Sequence, residues 1–309
     1  MSRIHEALKK AEQERAASQG GQVVDASRVG EMPGTELGTT MASVSTTAVP
    51  GTPAPTFSSQ FTFDTLLARC GQTTWHPDEK TMLFFSGQEH LNGMEEFRTL
   101  RSRLYQLREK MPLKKVLVSS SLPREGKSFV AANLAQVMVK QHGRRVLLID
   151  ADLRGSKLHT TLGTSSSPGL ADYLLGESDE YSVMQRGLME NLFFVPSGRQ
   201  VPSPAELVAN GRMKFLLSRV ESLFDWIIID SPPAVPVSDA SLLANFCDGV
   251  LLVVRSNVTP SDSARKARLE FREKQLVGVV LNGIEPDSSA YSRYYYGYDV
   301  RRGDGEGPR

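Results

Sequence analysis

The chain has 309 residues, a formal net charge of +1 at pH 7 and two cysteines, Cys70 and Cys247. This length allows one large α/β domain with appendages or two small domains, and the near-neutral charge gives no electrostatic reason to expect nucleic acid as a partner. The cysteines fit neither a disulfide framework nor a metal-ligand spacing, which favours a reducing compartment. The N-terminus is too charged for a secretory signal, and no apolar run in the sequence approaches the length that spans a membrane. We therefore expect a cytoplasmic protein.

The first part of the chain differs in composition from the rest. Residues 1–18 predict a short amphipathic helix, which either docks on a partner or frays in solvent. Residues 19–60 are rich in Gly, Ser, Thr, Pro and Ala, and such a segment cannot bury enough apolar surface to offset its ordering entropy. They predict a disordered linker that leads to a core domain over residues 61–286. The start of this domain, residues 61–92, has apolar residues without a clean period and is expected to pack as an irregular flank.

An amphipathic helix is predicted over residues 94–107, with one apolar and one charged face. The charged face carries Glu95, Arg98 and Arg101, which are spaced so that all three can present to one side. Charge pairs within one helix contribute only ~0.2–0.5 kcal/mol each. The ordinary interpretation of such a face is therefore exposure to solvent.

The stretch Val116–Ser128 organises the sequence. It consists of a β-branched run and a loop that ends in Gly126, Lys127 and Ser128, and an apolar helical repeat follows it. Backbone amides at the start of the helix would cradle phosphates, Lys127 would reach the terminal phosphates, and the Ser128 hydroxyl would bind Mg²⁺. Ser121 stands where the usual pattern has its first glycine, so this phosphate loop is a variant. The residues of the loop predicted to bind nucleotide are Pro123, Arg124, Glu125, Gly126, Lys127, Ser128 and Phe129.

Further apolar strands alternate with helices downstream, which implies a mostly parallel sheet covered by helices on both faces. One strand runs into Asp150 and Asp152, with Arg154 after them, and another, Trp226–Ile229, ends at Asp230 in the manner of a Walker B element. Buried carboxylates are costly unless they bind a metal or pair with a cation. Because the carboxyl ends of parallel strands meet at one edge of a sheet, these carboxylates and the phosphate loop predict a single Mg-nucleotide site.

The last residues, 287–309, are predicted to be a flexible tail. Five of the eight tyrosines of the protein fall within residues 291–298, without strand alternation or helical period. An aromatic-rich tail of this kind is ordinarily a sticky or stacking segment, but its hydroxyl groups and its attachment to a nucleotide domain also suit a phosphoryl acceptor. The predicted acceptors are Tyr291, Tyr294, Tyr295, Tyr296 and Tyr298. The predicted fold class is α/β and P-loop NTPase-like, with a disordered N-terminal linker and this tyrosine tail.

Taken together, the loop over residues 119–128, the motif Ile149–Arg154, the motif Ile227–Pro233 and the tyrosine cluster resemble the bacterial tyrosine kinases of capsule and exopolysaccharide biosynthesis. The resemblance implies that the three motifs are Walker A, A′ and B. It also implies that the charged face of the predicted helix mediates ring-like self-association and that the tail is autophosphorylated in trans. Leu122 stands where related partitioning and division-site ATPases carry a signature lysine, which counts against that group.

The resemblance also implies partners. Many family members fuse the kinase to a transmembrane chain-length regulator, whereas this sequence is similar to the split type, in which a separate membrane protein activates the kinase. We therefore expect a peripheral location at the inner face of the cell membrane through that partner. A cognate phosphotyrosine phosphatase is a further expected partner, and ATP and Mg²⁺ are the expected cofactors.

The expected reaction transfers the γ-phosphoryl group of ATP to tyrosine. Lys127 and the loop amides would stabilise charge on the phosphates, and Ser128 with Asp150 or Asp230 would hold Mg²⁺. A tyrosine hydroxyl has a pKa near 10, so a carboxylate should accept its proton. Asp152 is the first choice for this base and Asp150 the alternative.

Two further residues are expected at the site. Arg154 would orient its own loop or a phosphate, and Asn282, which ends a strand at the same edge, would contact the adenine or cap its strand. Two alternative functions share most of these motifs. One is a switch ATPase that transfers nothing to protein, and the other is a scaffold in which ATP only holds the oligomer together.

Overall fold

The computed structural model describes residues 61–85, 93–187 and 189–284. The predicted N-terminal helix over 1–18, the linker over 19–60 and the tyrosine tail over 287–309 lie outside these residues. Those three assignments stay predictions, as do the domain boundaries.

The strands form one sheet at the centre of the described residues. In chain order the strands are β1 (Gly71–Gln72), β2 (Lys115–Ser120), β3 (Val146–Asp150), β4 (Gln185–Arg186), β5 (Leu192–Val195), β6 (Trp226–Asp230), β7 (Gly249–Arg255) and β8 (Leu276–Asn282). Their spatial order is β1-β4-β5-β3-β6-β2-β7-β8. Every neighbouring pair is parallel except β4 with β5. The predicted mostly parallel sheet is confirmed.

Helices connect these strands. In chain order the described helices are α1 (Phe63–Arg69), α2 (Met94–Arg108), α3 (Lys127–Val139), α4 (Leu158–Leu162), α5 (Leu170–Leu174), α6 (Pro204–Ala209), α7 (Arg212–Val220), α8 (Asp239–Ala244) and α9 (Ser261–Glu270). The helix predicted over residues 94–107 is α2, and the helix predicted to follow the phosphate loop is α3.

The central strands are apolar throughout because both of their faces are covered. Every residue of β3 and β6 is buried. Alternate residues of one strand enter opposite cores: Val116 and Val118 pack with α3 on one side, while Leu117 packs with α7 and α8 on the other. This two-sided burial explains why continuous apolar runs, rather than alternating ones, marked the strands in the sequence.

The predicted irregular flank is more ordered than the sequence indicated. Its helix α1 begins at a reciprocal cap in which the side chains of Thr62 and Thr65 each bond the backbone amide of the other residue. Its strand β1 extends the sheet beside β4. Trp75 and Phe84 are buried in the core on the α3 side. Two-residue strands at a sheet edge give no periodic signal, which is why the sequence did not reveal them.

Helix α9 ends where an aromatic side chain turns into the core. The helix ends at Glu270 and the chain turns at Phe271. Phe271 is 2% exposed and packs into the core together with Ala267. The turn positions the Phe271 side chain towards the core, and a helical repeat in the sequence does not predict such a turn.

Among the described residues, no helix combines the length and apolarity needed to cross a membrane.

Candidate active site

The phosphate loop and two of the predicted carboxylates lie at the carboxyl edge of the sheet. Asp150 at the end of β3 and Asp230 at the end of β6 are direct register partners, and Val118 of β2 is the partner of Asp230 on its other side. The loop leaves β2 immediately afterwards and enters α3 at Lys127. The three predicted elements of the site therefore come from adjacent strands.

The phosphate loop is held from outside by the ends of β7 and β8. Glu125, which is 3% exposed, accepts hydrogen bonds from the backbone amide of Leu122 at 2.9 Å and from the hydroxyl of Thr259. The side-chain amide of Asn282 donates to the Glu125 carbonyl oxygen at 2.9 Å, and Arg255 donates to the Arg124 carbonyl oxygen at 3.4 Å. Glu125 and Asn282 therefore shape the loop, and a direct contact of Asn282 with adenine stays a prediction.

Glycine is required at position 126. Its φ is +96°, and a Cβ built there would lie 2.0 Å from Nδ2 of Asn282. The first hydrogen bond of α3 runs from the Val130 amide to the Gly126 carbonyl oxygen at 2.9 Å. The amides that precede Val130 therefore point into the loop, where phosphate oxygens can accept from them. Pro123 and Arg124 are the solvent-exposed residues of the loop. The ring of Phe129 packs on Phe97 of α2, with 5.8 Å between the ring centroids.

Lys127 points at the carboxylates. Its Nζ lies 2.9 Å from Oδ2 of Asp152 and 3.4 Å from Oγ of Ser128. Burial acts to lower the pKa of Lys127, but the charges of Asp230, Asp152 and Asp150 outweigh that effect and raise it. The ammonium group is therefore firmly protonated.

The other two carboxylates are buried and share one region of negative charge. Burial, followed by the charge of Asp230, raises the pKa of Asp150 to about 8, although the Ser156 hydroxyl donates a hydrogen bond to Asp150. Burial also raises the pKa of Asp230, against the opposing effects of Lys127 and Ser128. Three carboxylates face one nearby ammonium group, so this edge of the sheet favours an added cation.

These residues fit a magnesium ion that is bound together with phosphates. Oδ1 of Asp230 is buried and has no hydrogen-bond partner among the described residues, so it is an acceptor for a metal ion or a metal-bound water. In the described ranges, no group of three or more His, Cys, Asp or Glu side chains is arranged to hold a metal. Mg²⁺ commonly takes one or two protein ligands and completes its shell with phosphate oxygens and water. Ser128 with Asp230 or Asp150 matches that pattern.

Arg154 is bound to a residue that the sequence analysis missed. Its Nε and Nη2 donate to the two carboxylate oxygens of Asp239 at 2.8 and 2.9 Å. Asp239 begins α8, where an acidic residue is ordinarily interpreted as a helix-terminus charge. Ser156 and Thr259 were also missed, because hydroxyl residues in loops carry no signal that names their distant partners.

The charged face of α2 is partly engaged within the chain. Arg98 pairs with Glu95, whereas Nη1 of Arg101 donates to the Val137 carbonyl oxygen of α3 at 2.9 Å. Arg98 and Arg101 are half-buried and Glu95 is exposed. Glu95 and Arg98 are thus the members of the predicted interface that are not also bonded to α3.

The fold and this edge of the sheet define a nucleotide-binding α/β protein of the P-loop class. A family model described as "AAA domain" matches residues 124–260. Tyrosine-protein kinase YwqD of Bacillus subtilis (strain 168) is 36% identical over 222 residues, which cover 71% of this chain and 92% of YwqD. Putative tyrosine-protein kinase EpsB of Ralstonia nicotianae is 34% identical over 213 residues, 68% of this chain but only 28% of EpsB.

A solved structure gives the same result. The kinase domain of the Escherichia coli tyrosine kinase ETK superposes with a TM-score of 0.60 at 31% identity, over 63% of this chain and 77% of that one. The chain belongs to the bacterial tyrosine-protein kinase family. The resemblance drawn from the sequence is thereby confirmed, and the protein is an enzyme of that class.

Proposed function

We propose that this protein transfers the γ-phosphoryl group of ATP to the tyrosines of its own C-terminal cluster, in trans between copies. We further propose that this reaction regulates the polymerisation and export of an exopolysaccharide or capsule. One observation supports this chemistry best. At the sheet edge that carries the phosphate loop, Lys127 is paired with Asp152 and lies within the electrostatic influence of Asp150 and Asp230. Membership of the tyrosine-kinase family supports the choice of acceptor.

The chain's own residues have distinct tasks in this proposal. The loop amides and Lys127 bind the phosphates and stabilise the charge that develops on them during transfer. Ser128 with Asp230 or Asp150 would hold Mg²⁺, which would supply positive charge to offset the charge of the phosphates. Pro123, Arg124 and Phe129 frame the loop, and Asn282 supports it from β8.

Asp152 is the proposed base, with Asp150 as the alternative. Asp152 is 5% exposed, its Oδ2 is paired with Lys127, and its Oδ1 accepts from the backbone amides of Arg154 and Gly155 at 3.3 and 3.0 Å. When phosphate oxygens attract Lys127, Oδ2 is released and can accept the proton of the incoming tyrosine. Asp150 is less suited to this task in the protein without Mg²⁺, because burial and the charge of Asp230 raise its pKa to about 8 and favour its protonated form.

Transfer in trans requires contact between copies. We propose that Glu95, Arg98 and Arg101 on α2 form one side of a ring-like interface, and that the tail of one subunit enters the active site of its neighbour. A membrane activator protein would recruit the kinase to the inner face of the cell membrane, and a cognate phosphotyrosine phosphatase would reset it.

The test mixes two full-length variants, one of which carries a tag so that the two chains can be separated by size. One carries Lys127→Met with an intact tail, and the other is active but has all five tail tyrosines changed to Phe. After incubation with Mg²⁺ and ATP, we expect mass spectrometry to find phosphotyrosine within residues 291–298 of the Lys127→Met chain only. Each variant alone should stay unlabelled.

Other outcomes would contradict parts of the proposal. Labelling of wild-type protein with none on the Lys127→Met chain in the mixture would exclude transfer in trans. ATP turnover by wild-type protein with an unmodified tail, also in the presence of a candidate membrane activator, would favour the switch ATPase. Phosphate outside the tail would contradict the choice of acceptor.

A further inference from the structure

The loop that carries the proposed base is tied to a second part of the chain by a two-pronged ion pair. Arg154 follows Asp152 by two residues, and its Nε and Nη2 donate to the two carboxylate oxygens of Asp239 at 2.8 and 2.9 Å. The Asp239 side chain is 2% exposed and that of Arg154 is 41% exposed. Asp239 begins α8, in the segment that follows the Walker B strand β6. The pair therefore joins the loop after β3 to the segment after β6.

The ion pair continues into the active site through backbone hydrogen bonds. The amides of Arg154 and Gly155 donate to Oδ1 of Asp152, whose Oδ2 contacts Lys127 at 2.9 Å. A displacement of Arg154 would move the amide donors that orient the Asp152 carboxylate. A bidentate guanidinium–carboxylate pair fixes direction as well as distance, so it suits this positioning task better than a single contact.

We propose that Asp239 is a positioning residue, which acts through Arg154 to hold Asp152 in the orientation needed for phosphoryl transfer. Nε and Nη2 of Arg154 both donate to Asp239, so the Arg154 side chain anchors its own loop rather than binding the nucleotide phosphates. The effect on the reaction rests on the proposed function, whereas the anchoring of the loop can be measured without any turnover.

The experiment is a double-mutant cycle with Asp239→Asn, Arg154→Gln and the two combined in the full-length protein. Arg154→Lys is added because it keeps the charge and loses the two-pronged geometry. Arg144→Gln is the matched control: Arg144 pairs with Asp225 at 3.0 Å at the amino ends of β3 and β6, and its side chain is 40% exposed, nearly the same as that of Arg154. Hydrogen–deuterium exchange of the peptide over residues 151–157, ADP affinity and the steady-state kcat for transfer are measured for each variant.

We expect faster exchange at residues 151–157 in Asp239→Asn and in Arg154→Gln, and wild-type exchange in Arg144→Gln. We expect kcat to fall about tenfold in each single variant, less than the ~100-fold that a 1 Å misplacement of a catalytic group can cost. ADP affinity should change less than about threefold, and the double variant should be no worse than the worse single one because both act through one contact. Arg154→Lys should fall between wild type and Arg154→Gln.

Two results would overturn the proposal. Unchanged exchange in Asp239→Asn would show that the pair does not hold the loop. A loss of ADP affinity confined to Arg154→Gln, with additive effects in the double variant, would make Arg154 a phosphate ligand instead. If wild-type protein formed no phosphotyrosine, the proposed function would fail, and the exchange measurement would still decide whether Asp239 anchors the loop.

Discussion

Nζ of Lys127 lies 2.9 Å from Oδ2 of Asp152, so the lysine of the phosphate loop is paired with the residue proposed to accept the tyrosine proton. Under the proposed mechanism this pair sets an order of events, because phosphates must attract Lys127 before Asp152 is free to act as a base. A tyrosine that enters the site before the nucleotide would find Asp152 still paired with Lys127.

Asp152→Asn should separate nucleotide binding from transfer. We expect the rate of phosphotyrosine formation to fall by at least ~100-fold, the usual loss when a general base is removed. ADP should bind at least as tightly as to wild type, because Lys127 no longer has to leave an ion pair. Isothermal titration and quantitative phosphotyrosine detection measure the two effects. If Asp152→Asn formed phosphotyrosine at the wild-type rate and Asp150→Asn formed none, the base would be assigned to Asp150.

Asp150→Asn should stabilise the nucleotide-free protein at high pH. Burial and the charge of Asp230 raise the pKa of Asp150 from the ordinary 3.8 to about 8 in the folded protein, so its contribution to stability is fully present at low pH and is lost as pH rises towards about 8. The loss is at most ~1.4 kcal/mol per pH unit. The difference in Tm between Asp150→Asn and wild type should therefore grow from about pH 4 to pH 8 and then level off.

Asp262→Asn is the control for this pH series, because the Asp262 side chain is 81% exposed. Its Tm should follow wild type at every pH. A Tm difference between Asp150→Asn and wild type that stays constant as the pH rises would show that the buried carboxyl is not protonated in the nucleotide-free state.

Gly126→Ala should damage the phosphate loop beyond the cost of backbone strain. A non-glycine residue at positive φ costs about 1–3 kcal/mol. At position 126 the new methyl group would also lie 2.0 Å from Nδ2 of Asn282. Gly143→Ala provides the comparison, since Gly143 has φ +70° with nothing within 4 Å of a built Cβ. We expect both variants to lose stability in denaturant titrations, and only Gly126→Ala to lose ADP binding; retained binding there would contradict the tight packing of the loop.

Arg98→Ala and Arg101→Ala should differ in their effect on the monomer. Arg101 bonds the Val137 carbonyl oxygen, whereas Arg98 pairs with Glu95 on the same helix surface. We expect both changes to weaken self-association and transfer in trans, and only Arg101→Ala to lower Tm as well. Light scattering after size-exclusion chromatography measures the assembly. An intact oligomer in the double variant would contradict the assignment of this interface.

The sequence was informative where one physical cause dominates. Strands β2, β3 and β6 are buried on both faces, so continuous apolar runs identified them, and parallel pairing then brought Asp150 and Asp230 together. Local periodicity cannot specify contacts between distant side chains. Arg154 and Asp239 are 85 residues apart, and Thr259 reaches Glu125 across 134 residues.

The hydrogen bond between Asn282 and the Glu125 carbonyl oxygen has a thermodynamic consequence for the end of the chain. Asn282 is the last residue of β8, and the segment with the tyrosine cluster continues from there. An event in that segment that displaces Asn282 would also displace the phosphate loop, and so change its affinity for nucleotide. Linkage then requires reciprocity: nucleotide binding must shift the equilibrium of that event by the same factor. The nucleotide site and the segment with the tyrosine cluster would then be thermodynamically coupled through the side-chain amide of Asn282.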